Sequence, residues 1–329
     1  MVMRKFLLVL CFHSALVNCQ DLNNLTFSQW IELIGDTVKL GDGDVKESDI
    51  TLLLFTRTNP NVARNLVLHG QNEIDIAKPT KFIVHGWLEN YLVEWYREMK
   101  DELLKYEDAN VIQVDWSRVA KLYYVSSAKN TELVGNILGN FILENKIPSE
   151  NNHLIGHSLG AHVVAFAGKR IKKLTASRVR RISALDPAGP YFRLPIIFEN
   201  ERLSREDAEI VDVIHTDGGF FGFDEPLGTV DIYVNGGRRR QPGCHDAEPM
   251  FDVYEILKNS FCSHKRSHDY FIQSLNNAEI RCHFCASYMN LRNNTCSTSK
   301  VYQIIHQNIT EDMKGICAVN TGRVPPYFQ

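Results

Sequence analysis

The sequence predicts an α/β fold with a mainly parallel central sheet and helices on both faces. Two observations predict it. Short apolar runs alternate with segments of helical spacing from Ile50 to His215, and most of the runs end on a polar residue suited to chemistry. The 329 residues suit one sizeable α/β unit. No stretch reads as a linker, so the expected organisation is a leader over 1–19 and a single domain over 20–329.

After an acidic, Gly-rich stretch (Gly35 to Asp49), Ile50 to Thr56 reads as a strand stopped by Thr58-Asn59-Pro60. Lys81 to Val84 is a second strand, running into His85-Gly86-Trp87. Tyr91 to Tyr106 has helical spacing, with Leu92, Trp95, Met99 and Leu103 on one face. Val111 to Val114 is a strand ending at Asp115-Trp116, and Thr131 to Leu143 is a helix. His153 to Ile155 is a strand followed by a helix from Ala161 to Arg170. Val179 to Leu185 and Ile210 to His215 are strands ending in Asp186-Pro187 and His215-Thr216-Asp217. In open parallel sheets the site lies beyond the carboxyl ends of the strands. His85, Asp115, Ser158, Asp186 and His215 all fall there.

Composition narrows the function classes. A net charge of −3 gives no electrostatic case for a nucleic-acid partner. Arg4 and Lys5, the apolar run Phe6 to Phe12 and the small residues near Cys19 read as a secretory signal peptide. That run is far shorter than the ~20 residues that span a bilayer, so the expected location is extracellular. Of eight cysteines, six lie at Cys244 and beyond, an even number that suits disulfides in an oxidising compartment. Asn24, Asn293 and Asn308 each open an Asn-x-Thr glycosylation acceptor.

The strongest chemical signal is Gly156-His157-Ser158-Leu159-Gly160 between a strand and a helix, the nucleophile-elbow pattern of the α/β-hydrolase fold. A sharp turn there crowds both flanking positions, pushes the serine hydroxyl out above the sheet, and aims the Leu159 amide at a developing oxyanion. The second oxyanion amide is expected from Trp87, because Gly86 lets that backbone approach closely. A serine nucleophile needs an acid and a base later in the chain. Position alone leaves Asp186 and Asp212 comparable as the acid, and His264 and His268 comparable as the base. Between Cys244 and Cys262, Met250, Val253, Tyr254, Leu257 and Phe261 share a helical face. That segment, about 244–262, reads as a lid presenting apolar surface to lipid.

These motifs together resemble the pancreatic lipase family from about Ile50 onward. The matching segments are Leu54 to Pro60, Phe82 to Trp87, Val114-Asp115-Trp116, Gly156 to His162, Leu185 to Pro190, Val211 to Asp217, Asn235-Gly236-Gly237 and Cys262-Ser263-His264. The resemblance implies a triad of Ser158, Asp186 and His264, with oxyanion amides on Trp87 and Leu159. It implies disulfides Cys244–Cys262, Cys285–Cys296 and Cys282–Cys317. It also implies a lipid interface as partner and no cofactor. Ser204 stands where an acid of the family's calcium-binding segment would be, within Glu199 to Asp207, which weakens the case for calcium. The chain stops near Val324-Pro325-Pro326-Tyr327-Phe328, so neither the C-terminal β-sandwich of larger members nor colipase is expected. The short loop from Asp217 to Thr229 and a lid of intermediate length are similar to secreted phospholipases A1. The expected reaction is therefore cleavage of glycerophospholipid acyl esters. The alternatives are a triacylglycerol lipase and a non-enzymatic lipid-binding relative.

Overall fold

A computed structural model describes residues 45–244, 260–275, 280–296 and 314–328. The signal-peptide segment, Asn24, Asn308 and lid residues 245–259 lie outside the described residues. The elements in chain order are β1 (Thr51–Phe55), β2 (Arg64–Leu66), β3 (Thr80–Val84), α1 (Glu94–Tyr106), β4 (Asn110–Asp115), α2 (Ser117–Ala120), α3 (Tyr124–Glu144), β5 (Asn152–His157), α4 (Leu159–Thr175), β6 (Val179–Leu185), β7 (Ala208–His215), β8 (Val230–Val234), α5 (Cys262–Ser274), β9 (His283–Cys285), α6 (Tyr288–Arg292) and β10 (Gly315–Val319).

The strands form one ten-stranded sheet in the order β2-β1-β4-β3-β5-β6-β7-β8-β10-β9. The run from β4 to β10 is parallel throughout. Antiparallel strands β1, β2 and β9 complete the two edges. This is the expected α/β-hydrolase architecture. Side chains alternate across the sheet as the pleat demands. Leu52, Leu54, Phe82 and Val84 pack on one face with α3 and α4. Leu53, Phe55, Ile83 and Ile155 pack on the other with α1 and α5.

Helix α4 runs Leu159–Thr175, beyond both expected limits, and two helix starts differ from the sequence pattern. Helix α1 starts at Glu94 rather than Tyr91, and Leu92 is 74% exposed instead of sharing the buried face. The cause is local: Asn90 Oδ1 accepts a hydrogen bond from Leu92 N at 2.8 Å, a turn that competes with the helix. Helix α3 starts seven residues earlier than its periodicity suggests. Its first turns contain Ser126 and Ser127, weak helix formers, but Ser127 Oγ reaches the Val119 carbonyl at 2.8 Å and docks them on α2.

The expected cysteine pairings form: Cys244–Cys262, Cys282–Cys317 and Cys285–Cys296. The first closes the base of the lid segment. Asn293, the one glycosylation candidate within the described residues, is exposed.

Candidate active site

Ser158 sits between β5 and α4 with φ 57° and ψ −120°, a conformation that costs an L-residue energy and persists only where its surroundings enforce it. Three backbone bonds enforce it here. Ser158 N donates to Leu185 O at 3.0 Å, and Ser158 O accepts from Ala161 N at 3.1 Å and Ala188 N at 3.2 Å. The flanking glycines are steric necessities. A Cβ on Gly156 would lie 2.3 Å from the Gly160 carbonyl oxygen, and one on Gly160 would lie 2.3 Å from the Val84 carbonyl oxygen. The turn thus closes against the end of β3, and Gly86 follows it so tightly that its own Cβ would come within 2.8 Å of Ser158 Cβ.

Register brings the next groups alongside. His157 pairs with Leu185 and Leu185 with Ile214, so Ser158 and Asp186 leave the sheet side by side. Asp186 Oδ1 accepts backbone bonds from Thr216 N at 2.7 Å and Asp217 N at 3.0 Å. Its Oδ2 lies 2.5 Å from His264 Nδ1. Asp186 is fully buried, and a Cβ on Gly222 would strike its carboxylate at 2.5 Å, so the loop from Asp217 to Thr229 closes directly over it.

His264 lies in the first turn of α5. Ser263 Oγ accepts from Arg240 N and Gln241 N, both at 3.0 Å, and the Cys244–Cys262 bridge ties the adjacent residue. The helix start is therefore anchored at the two residues just ahead of the imidazole. Burial pushes the His264 pKa down, and the Asp186 hydrogen bond and charge offset this only in part. The result lies below the ordinary 6.5. Burial thus favours the uncharged imidazole, and Nδ1 is directed at Asp186, which leaves Nε2 to accept a proton. Burial, then the charge of Asp186, holds the neighbouring Asp217 carboxyl well above the usual carboxylate range.

Ser158, His264 and Trp87 line one cavity of about 100 Å³ with Glu89, Phe221 and Lys265. A larger cleft of about 690 Å³, beside β2 and lined by Thr56, Arg64, Glu73 and Lys78, holds none of the candidate groups. The competing candidates are engaged elsewhere. Asp212 accepts from Arg181 Nε at 2.6 Å and from Ser183 Oγ. His268 stacks on Trp95 with ring centroids 4.8 Å apart. His215 Nε2 faces Asp231 Oδ1 at 2.9 Å. Leu159 opens α4, where its amide is one of the helix's unsatisfied N–H groups. Trp87 follows Gly86, its indole N–H fixed on the Leu122 carbonyl at 2.9 Å. In the segment Glu199 to Asp207, Asp207 takes donors from Ser204 N at 2.8 Å, Ser204 Oγ at 3.2 Å and the Lys169 ammonium.

Sequence reasoning missed Glu89 and Lys265, both in the cavity wall. Lys265 directly follows His264, and a cation beside the expected base was a signal available in the sequence. Glu89 carries none, because its partners are a backbone amide, an indole six residues on and a histidine 68 residues on, a set that no local pattern announces.

A family model described as Lipase matches residues 23–310. Pancreatic lipase-related protein 2 of Rattus norvegicus is 33% identical over 290 residues, covering 81% of this chain and 60% of that protein. Lipase member H of Oryctolagus cuniculus is 36% identical over 259 residues, covering 76% and 54%. Lipoprotein lipase of Rattus norvegicus is 42% identical over 222 residues, covering 62% and 45%. The chain thus spans about half the length of the curated relatives it matches. Among solved structures, an esterase of Pyrococcus furiosus aligns with a TM-score of 0.32 at 16% identity, covering 55% of this chain and 72% of that one.

Proposed function

Because this chain belongs to the lipase family, we propose that it is a secreted serine hydrolase of lipid esters, with Ser158, Asp186 and His264 as its triad. The observation that carries the reading is the Asp186-bound imidazole of His264 in the same cavity wall as the strained Ser158. In the first step His264 Nε2 takes the Ser158 proton and Oγ attacks the ester carbonyl. The Trp87 and Leu159 amides receive the oxyanion. The intermediate collapses, His264 returns its proton to the departing alcohol oxygen, and an acyl-Ser158 ester remains. Water, deprotonated by the same imidazole, then attacks the acyl carbonyl, the carbonyl–Oγ bond breaks, His264 returns the proton to Ser158 Oγ, and the fatty acid leaves. Asp186 holds the tautomer and stabilises the imidazolium formed in each step. The scheme uses only groups of the chain.

The pH profile follows from His264. The neutral imidazole is the working form, so kcat/KM falls as pH drops through its pKa. Because that pKa is displaced downward, the acid limb should have its midpoint below 6.5. A midpoint above 7 would contradict the burial argument.

The substrate class we propose is the glycerophospholipid acyl ester, the reaction of a phospholipase A1. Lys265 supports it: it is exposed, directly follows His264, and is the one lysine or arginine that lines the cavity among the described residues. An ammonium there suits a phosphodiester beside the scissile ester. The short loop from Asp217 to Thr229, closed over Asp186, supports it too. A second reading, triacylglycerol hydrolysis, is favoured by the 32% identity to pancreatic triacylglycerol lipase of Cavia porcellus. Parallel product analysis on phosphatidylglycerol and triacylglycerol emulsions tests the choice. Lys265→Met should lose about tenfold in kcat/KM on the phospholipid, one charge-assisted hydrogen bond at roughly 1.4 kcal/mol, and change little on triacylglycerol. Equal losses on both, or parent activity on triacylglycerol alone, would favour the second reading.

The paired cysteines and the leader-like N-terminus support an extracellular location, with a lipid surface as the partner.

A further inference from the structure

One buried charge in the cavity wall has no part in the scheme above. Glu89 is only 7% exposed, yet burial, which would raise its pKa, is outweighed by His157, Lys265 and His268, and the carboxyl is held well below its usual range. A carboxylate kept ionised in so dry a place needs strong partners. It has three. Glu89 Oε2 accepts from Gly86 N at 2.9 Å and faces His157 Nδ1 at 3.2 Å; Oε1 accepts from Trp95 Nε1 at 3.2 Å. His157 in turn is the residue before Ser158 in the elbow. Its Nε2 lies 3.4 Å from the His264 carbonyl oxygen, and its ring centroid lies 4.7 Å from that of His264.

We propose that Glu89 is a positioning residue: one carboxylate ties the Gly86–Trp87 turn, the nucleophile elbow and the start of α5 into a single rigid frame. The inference rests on the lipase reading above. Each of the three segments holds a different reacting group, the Trp87 amide, the Ser158 hydroxyl and the His264 imidazole. They come from β3, β5 and α5, which are far apart in the chain. The Gly86 amide that Glu89 grips lies in the His85–Gly86 peptide, one unit before the peptide that carries the Trp87 N–H. Release of that grip lets the Trp87 amide swing away from the oxyanion without altering what the rest of the cavity presents to an acyl chain. The loss therefore falls on the transition state and not on substrate binding.

Glu89→Gln isolates this role because it keeps size and shape. The carboxylate accepts on both oxygens, whereas an amide has one acceptor oxygen and an NH₂ that must face a donor. Either the Gly86 and His157 side or the Trp95 side is left with two donors opposed. Kinetics are measured on the full chain with a soluble p-nitrophenyl ester, so adsorption to a lipid surface does not enter. With the parent active, Glu89→Gln should lose about 10- to 100-fold in kcat, the scale of a displaced catalytic group, with KM within twofold. Glu89→Asp, which keeps the charge but not the reach, should show the same split. A kcat within twofold of the parent, or a loss confined to KM, overturns the proposal. Failure of both variants to fold does so too, because it assigns Glu89 to the core alone. An inactive parent instead overturns the lipase reading on which the proposal stands.

Discussion

Ser158→Ala should abolish ester hydrolysis, with kcat down on the order of 10⁶-fold, while the protein remains folded. The size of the effect follows from the division of labour. The acid and base act only through the serine oxygen, so removing that oxygen leaves oxyanion binding and positioning with nothing to assist. Folding should survive. Alanine fills the same space, and the turn is held by backbone bonds to Leu185, Ala161 and Ala188, none of which uses the hydroxyl. Small relief of the φ 57° strain is not expected, because alanine also carries a Cβ. The measurement is kcat on a p-nitrophenyl ester, beside a thermal unfolding curve. Residual activity above about 1% of the parent would point to a different nucleophile.

Asp186→Asn should cost about 10⁴-fold in kcat, with stability lowered as well. Asp186 Oδ1 receives two backbone N–H groups and Oδ2 faces His264 Nδ1 at 2.5 Å. With three donors already directed at it, the asparagine NH₂ finds an acceptor only if one of those groups changes. If Oδ1 keeps the Thr216 and Asp217 amides, the NH₂ points at His264 and forces the other tautomer. Nε2 then carries the proton and can no longer accept one from Ser158. The loss should fall on kcat, with a smaller change in KM, and should not be recovered by raising the pH to 9. An alkaline recovery to parent rates would mean that the carboxylate acts through charge and not through the tautomer it fixes.

Much of the fold was legible because most of the central parallel strands are short apolar runs closed by a polar residue. β6 falls at Val179–Leu185, the limits its sequence suggests. The far side of the sheet was not. β8, Val230–Val234, alternates polar and apolar side chains like an ordinary half-buried strand, yet both of its faces are covered. β10 joins β8 only through a pairing some 80 residues distant, which no local pattern announces. Helix α1 shows the opposite failure. Leu92 keeps helical spacing with Trp95 and Met99, but the Asn90 side chain takes the backbone first.

The site divides in the same way. Ser158 was legible because its chemistry and its steric demands lie within five consecutive residues. Asp186 and His264 are separated by 78 positions, and position alone left them level with Asp212 and His268; the family resemblance chose between them, and their contact sets them apart in space. Glu89 left no mark in the sequence. Its importance comes from a backbone amide three residues back and a histidine 68 residues on. A buried acid is informative only once its surroundings are known.

The central claim is that Ser158 is an activated nucleophile, and active-site labelling tests it most directly. A fluorophosphonate probe incubated with the full chain at pH 7.5 should attach covalently at a single residue, and peptide mass mapping should place the adduct on Ser158. The adduct should be absent in Ser158→Ala and strongly slowed in Asp186→Asn. An unlabelled parent, or an adduct mapped to any other residue, would contradict the account.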